Sequence, residues 1–122
     1  MKSMRTLAEI ESLVASGESE TLELKKSTAQ LNRAGETLCA FLNSNGGQVL
    51  IGVGSDGRIV GQQVADTTLR DIAAMLGRFE PSARIEVRRV DVGDGRQVIV
   101  LEAAPARQYS PFVFEGRPYK RV

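Results

Sequence analysis

The residues best suited to chemistry are three glutamates close together, Glu18, Glu20 and Glu23, running into Lys25-Lys26. Glu20 to Lys25 alternates with period two, which predicts a strand with Leu22 and Leu24 on one face and Thr21, Glu23 and Lys25 on the other. Carboxylates from this segment brought near Asp56 would suit Mg²⁺ or Mn²⁺, which prefer oxygen ligands and support phosphodiester cleavage. The same pattern is equally a Glu–Lys ladder on a solvated strand face, which needs no further function. Both readings stand at this point.

The second kind of chemistry is polyanion binding. Lys25-Lys26, Arg88-Arg89 and the group Arg117, Lys120 and Arg121 are candidate phosphate contacts, each giving sequence-independent, salt-sensitive attraction. Taken singly, a basic pair is also ordinary solvated surface. Between Ile85-Val87 and Val90-Val92 the apolar phase moves from odd to even positions, which predicts a β-bulge at Arg88-Arg89 that re-aims their side chains. Overall, 16 basic residues against 15 acidic give a formal charge of +1, which argues against a strongly basic DNA coater. From Arg84 onward eight basic groups face five acidic ones, a mild bias compatible with a phosphate-contacting surface.

Several mechanisms are excluded. Without histidine there is no Ser-His-Asp or Cys-His pair, no imidazole acid or base and no His-ligated zinc. The single Cys39 rules out an internal disulfide framework and points to a reducing cytoplasm. The glycines of Asn43-Ser44-Asn45-Gly46-Gly47 follow a predicted helix and precede a strand. A phosphate loop has the reverse order, and no Gly-Lys-Ser/Thr is present, so ATP is not expected as a cofactor. The spacing of Gly52, Gly54, Gly57 and Gly61 does not match a dinucleotide fingerprint. The longest apolar run, Val49 to Val53, is too short to cross a bilayer, so no membrane partner is expected.

These residues must be positioned by about three helices and six strands. Helical spacing covers 5–16, with Leu7, Ile10, Leu13 and Val14 inward and Gly17 as the stop, and then about 30–42 and 66–79. Asn or Gly in 43–47 caps the second helix in a left-handed conformation, and Gln48–Val53 reads as a fully buried strand with a short return at Arg58–Val60. Strands 84–92 and 96–103 form a hairpin across Gly93-Asp94-Gly95, and 111–121 a last one across Glu115-Gly116. With 122 residues and 42% apolar composition, the expectation is one α/β (α+β) domain over 1–122 with a mixed sheet. The chain ends at Val122 directly after a predicted strand, so 1–122 is expected to be the N-terminal part of a longer protein.

Taken together, three stretches resemble the Schlafen AlbA-2 domain family. Gly17 to Lys25 is similar to the family's E-x-x-x-x-E-F-K opening strand, with Leu24 in place of Phe. Ala40-Phe41-Leu42-Asn43-Ser44-Asn45-Gly46-Gly47, followed by Leu50 to Val53, Asp56-Gly57 and Ile59-Val60-Gly61, matches a second block, and Pro118 to Val122 a third. The resemblance implies a Schlafen-core-like fold and nucleic-acid binding, with DNA favoured over RNA, as part of a transcriptional regulator that can form a homodimer. The binding residues would be Lys25, Lys26, Arg88, Arg89, Lys120 and Arg121. Schlafen relatives also include RNA-cleaving nucleases with two glutamates and an aspartate, and Glu18 and Glu23 match the glutamate pair. Where members often read Gly-Val-Asp-Asp, this chain has Gly52-Val53-Gly54-Ser55, and Asp56 comes two positions late. That offset moves a carboxylate by several ångströms and ranks a Mg²⁺- or Mn²⁺-dependent endoribonuclease below plain binding. A non-enzymatic interaction or oligomerisation domain is the third alternative.

Overall fold

The computed structural model describes residues 6–109 and 111–121. Helix α1 (Leu7–Val14) begins where the Thr6 hydroxyl accepts from the Glu9 N–H, and it turns Ile10 and Val14 inward. Strand β1 (Leu22–Lys25) follows, and a single 3₁₀ turn leads into α2 (Leu31–Leu42). Strand β2 (Gly47–Ile51) is buried along its whole length. Next come α3 (Asp66–Leu76), β3 (Phe79–Glu80), the long hairpin of β4 (Ile85–Gly93) and β5 (Arg96–Ala103), and the short hairpin of β6 (Val113–Phe114) and β7 (Arg117–Pro118).

The strands form two sheets. The larger has the order β1-β2-β5-β4, with β1 parallel to β2 and the other pairs antiparallel; the smaller has the order β3-β6-β7. The expected single mixed sheet of about six strands is therefore seven strands in a four-plus-three arrangement, within the α+β class anticipated. Phe79, which falls in the predicted third helix, lies instead in β3, because α3 ends at Leu76 and the Phe79 ring packs on Phe114, centroid to centroid 5.2 Å. The return at Arg58–Val60 makes only an isolated bridge, Val53 to Ile59.

Each face of the large sheet has its own core. One buries Leu22, Leu24, Leu50, Val90, Val98 and Val100 with Ile10 and Val14 of α1. The other buries Val49, Ile51, Ile99 and Leu101 beneath α2, α3 and the small sheet. This two-sided burial explains the apolar phase change in β4. Ile85 packs into the second core and Val90 and Val92 into the first, with regular pairing of Arg88 to Val100 and Arg89 to Ile99. The expected bulge at Arg88-Arg89 is absent; the irregularity lies between Asp91 and Gly93, beside the turn.

The Asn-Ser-Asn-Gly-Gly stretch is a structural joint. Gly46 takes the left-handed position, φ +76°, while Asn43 does not, at φ −83°. The Asn43 side chain, only 7% exposed, reaches across to the C-terminal segment. Its Nδ2 donates to the carbonyls of Phe112 (3.0 Å) and Tyr119 (2.8 Å), and its Oδ1 accepts the Phe112 N–H (2.7 Å). The Cys39 Sγ donates to the same Phe112 carbonyl at 3.3 Å, and burial pushes that thiol's pKa up. The Phe114 ring then packs against the bare backbone of Gly35 in α2, where any Cβ would strike it.

Replacing Asn43 with alanine strands buried backbone groups of Phe112, so a loss of about 2–4 kcal/mol is expected in urea unfolding. Asn45→Ala, at an exposed position of the same motif, should stay within about 0.5 kcal/mol of wild type. Equal losses for the two variants would show that the Asn43 bonds carry no special weight.

Candidate functional site

Strand β1 positions the acidic residues as its alternation predicts. Leu22 and Leu24 point into the α1-side core, and Glu23 and Lys25 emerge on the opposite face, partly buried. Glu18 precedes the strand and folds back, so that its Oε2 accepts the Leu24 N–H at 2.9 Å. The Glu18 and Glu23 carboxyl groups are neighbours, close enough for each to shift the other's pKa.

Two cations close on Glu23. Arg121, 98 residues away in sequence, donates from one terminal nitrogen to Glu23 Oε1 at 2.9 Å and from the other to the Ser19 carbonyl at 2.7 Å. Its guanidinium carbon also lies 5.2 Å from the centroid of the Phe41 ring, a cation–π contact. The Lys25 ammonium is 3.8 Å from Glu23 Oε2. Arg121 is held in place through Ser44, whose hydroxyl accepts the Arg121 N–H at 3.2 Å. The Asn-Ser-Asn-Gly-Gly joint therefore delivers the C-terminal arginine to the acidic pair.

Asp56 does not join them. It sits on the turn after β2, where its Oδ1 accepts the Arg58 N–H at 3.0 Å, and it lines a separate cleft of about 470 Å³ with Lys25, Lys26, Gln30, Ser55 and Arg58. Among the described residues no three carboxylate, histidine or cysteine side chains stand together as a metal cradle. The residues present thus do not fit the Mg²⁺ or Mn²⁺ centre considered from the sequence. Glu23 is neutralised by Arg121 and Lys25, and the third carboxylate points elsewhere.

The six expected phosphate contacts are dispersed. Lys25 and Lys26 lie at the carboxyl end of β1, whereas Arg88 and Arg89 belong to β4, at the far edge of the same sheet. Arg88 pairs with Glu86 at 2.9 Å, and Arg89 donates to Gln97 Oε1. Lys120 lines a second cleft, about 300 Å³, with Glu20 and Glu36, and Arg121 is committed to Glu23. Sequence reasoning missed Arg58, which is exposed and shares the larger cleft with Lys25 and Lys26. The adjacent turn, Ser55-Asp56-Gly57, was the only local signal for it.

Mutual proximity and unequal burial split the two glutamates. Burial, reinforced by Glu18, raises the Glu23 pKa above 4.5, while interaction with the Glu23 carboxyl holds Glu18 below that value. A carboxyl with a raised folded-state pKa binds its proton more tightly in the folded chain, so stability declines as pH rises from the unfolded value through the folded one. For Glu18 the sign is opposite: its contribution is present above the unfolded value and is lost on acidification through the folded one. Glu23→Gln removes the first effect. The melting temperature of the variant should gain on wild type as pH is raised from about 4.5 toward neutrality. Parallel melting curves across that range would contradict the raised pKa.

Comparison with known proteins agrees with this architecture. The family model described as Schlafen, AlbA_2 matches residues 18–122. No curated protein matches. Among solved structures, the N-terminal domain of a Nitrosomonas europaea protein described as related to the ATP-dependent DNA helicase RecG superposes with a TM-score of 0.70 at 23% identity, covering 98% of this chain and 90% of that one. The DIP2311 protein of Corynebacterium diphtheriae superposes with a TM-score of 0.61 at 19% identity; the match covers 95% of this chain but 25% of that one. At these identities the likeness is one of fold. The family match spans both acidic residues, the Asn-Ser-Asn-Gly-Gly joint and the arginine it delivers, and the chain belongs to the Schlafen AlbA-2 family.

Proposed function

We propose that this domain grips the phosphate backbone of nucleic acid through the cleft at the carboxyl ends of β1 and β2. The observation that carries the reading is the charge balance there. Lys26 and Arg58 face a single carboxylate, Asp56, which already accepts a backbone N–H, while Lys25 beside them is paired with Glu23. Lys26 and Arg58 are exposed, and neither forms an ion pair among the described residues. The cleft also lies where the one parallel strand pair ends, the usual place for ligands at the carboxyl ends of strands in open sheets. Family membership and a structural neighbour whose name refers to a DNA helicase support the same direction, with DNA favoured over RNA.

In this reading the domain positions a transcriptional regulator on its target, in a reducing cytoplasm, and sequence readout comes from elsewhere in the regulator. Backbone contacts of this kind need neither nucleotide nor metal. Arg88, Arg89 and Arg121 play no part in the grip, because they are engaged with Glu86, Gln97 and Glu23.

The test is retention of a labelled duplex at low salt. Lys26→Glu with Arg58→Glu should weaken binding at least about tenfold and lower the salt slope by roughly 2, whatever the duplex sequence. Arg89→Gln should leave both quantities unchanged. No retention of duplex DNA or structured RNA by the wild-type chain at low salt would end this reading.

A further inference from the structure

A different part of the molecule, remote from the cleft, presents an open strand. Strand β4 is an outer strand of the large sheet, and no other strand of the described residues pairs with its free side. It runs for nine residues without proline, and Val87, the third of them, is 40% exposed, one of two large apolar side chains in the described residues left open to solvent. Long outer strands are ordinarily guarded, because their unpaired N–H and C=O groups invite another strand. Here the guards over Ile85–Val90 are charges, Glu86, Arg88 and Arg89, with Asp91 and the irregularity beyond it closing the far end.

Those charges select one partner. Two copies pairing antiparallel about a two-fold axis perpendicular to the sheet must keep each face on its own side, so a residue can oppose only residues of its own parity. Centring the pair on Arg88 or on Arg89 sets two like arginines opposite one another, and centring on Glu86 does the same with two glutamates. Centring on Ile85 would run the pairing into residues 81–84, which lie outside the strand and include Pro81, and centring on Val90 would require pairing through the irregularity between Asp91 and Gly93. Centring on Val87 sets Val87 against Val87 and each Glu86 against the Arg88 of the other copy, twice over. The Glu86–Arg88 pair, 2.9 Å within one chain, can be exchanged across the seam without leaving either charge alone.

We infer that β4 is a homodimerisation edge, joining two copies about Val87 into one continuous eight-stranded sheet. The inference is independent of nucleic-acid binding, and the cleft beside β1 lies at the opposite edge, so both clefts stay open at the two ends of the joined sheet.

Sedimentation velocity of the 122-residue chain over a concentration series tests it. Wild type should show a monomer–dimer equilibrium. Glu86→Lys, which sets like charges together twice, should weaken association about tenfold or more, and Glu86→Lys combined with Arg88→Glu should restore it. Val87→Lys should also dissociate the dimer. Hydrogen exchange guards against misfolding: in wild type the outward amides of β4 should gain protection as concentration rises, while those of β5 stay constant. A chain that remains monomeric up to about 1 mM overturns the inference. So does a dimer indifferent to Glu86→Lys and Val87→Lys.

Discussion

The carboxamide of Asn43 is the contact on which the rest of the molecule leans. It is a buried polar group at the end of a helix, and such a group is tolerated only when its donors and acceptor are satisfied. Here they are satisfied by the backbone of residues 69 and 76 positions further on. That requirement ties the C-terminal hairpin to α2, sets Phe114 over Gly35, and brings Ser44 within reach of the Arg121 backbone. The Arg121 guanidinium then settles between Glu23 and the Phe41 ring. A motif resembling a phosphate loop in composition thus serves as a clasp between distant parts of the chain.

The same clasp decides the chemistry of the acidic pair. Two neighbouring carboxylates repel unless a proton or a cation lies between them. In this fold both devices are at hand: burial beside Glu18 makes Glu23 hold its proton more tightly, and Arg121 and Lys25 supply positive charge. The cation beside Glu23 is therefore a side chain from the end of the chain. Two positive groups not spent in this way, Lys26 and Arg58, line the larger cleft.

Much of the local structure was legible in the residues themselves. The alternation in Glu20–Lys25, the helical spacing of 31–42 and the turn at Gly93-Asp94-Gly95 all appear where the pattern puts them, because each depends on neighbours within a few positions. What escaped the sequence is long-range. Nothing near Phe79 signals that it will leave the helix to meet Phe114, and nothing in Arg88-Arg89 signals that β4 will lie two strands away from β2, remote from Lys25. The apolar phase in β4 misled for a related reason. A strand between two cores shows each core at one end, and the sum imitates a slip. Glu18 and Glu23 were legible as a pair, but their neutralising arginine lies 98 residues from Glu23 and depends on the clasp.

Cys39 has a practical meaning beyond its packing. It is the sole cysteine, wholly enclosed, hydrogen-bonded to the Phe112 carbonyl, and its thiolate is disfavoured by burial. Alkylating reagents attack thiolates, so the native residue should stay silent while a cysteine introduced on the surface reacts. Fluorophores or spin labels can accordingly be attached one at a time to the wild-type background, with no prior removal of the endogenous sulfur.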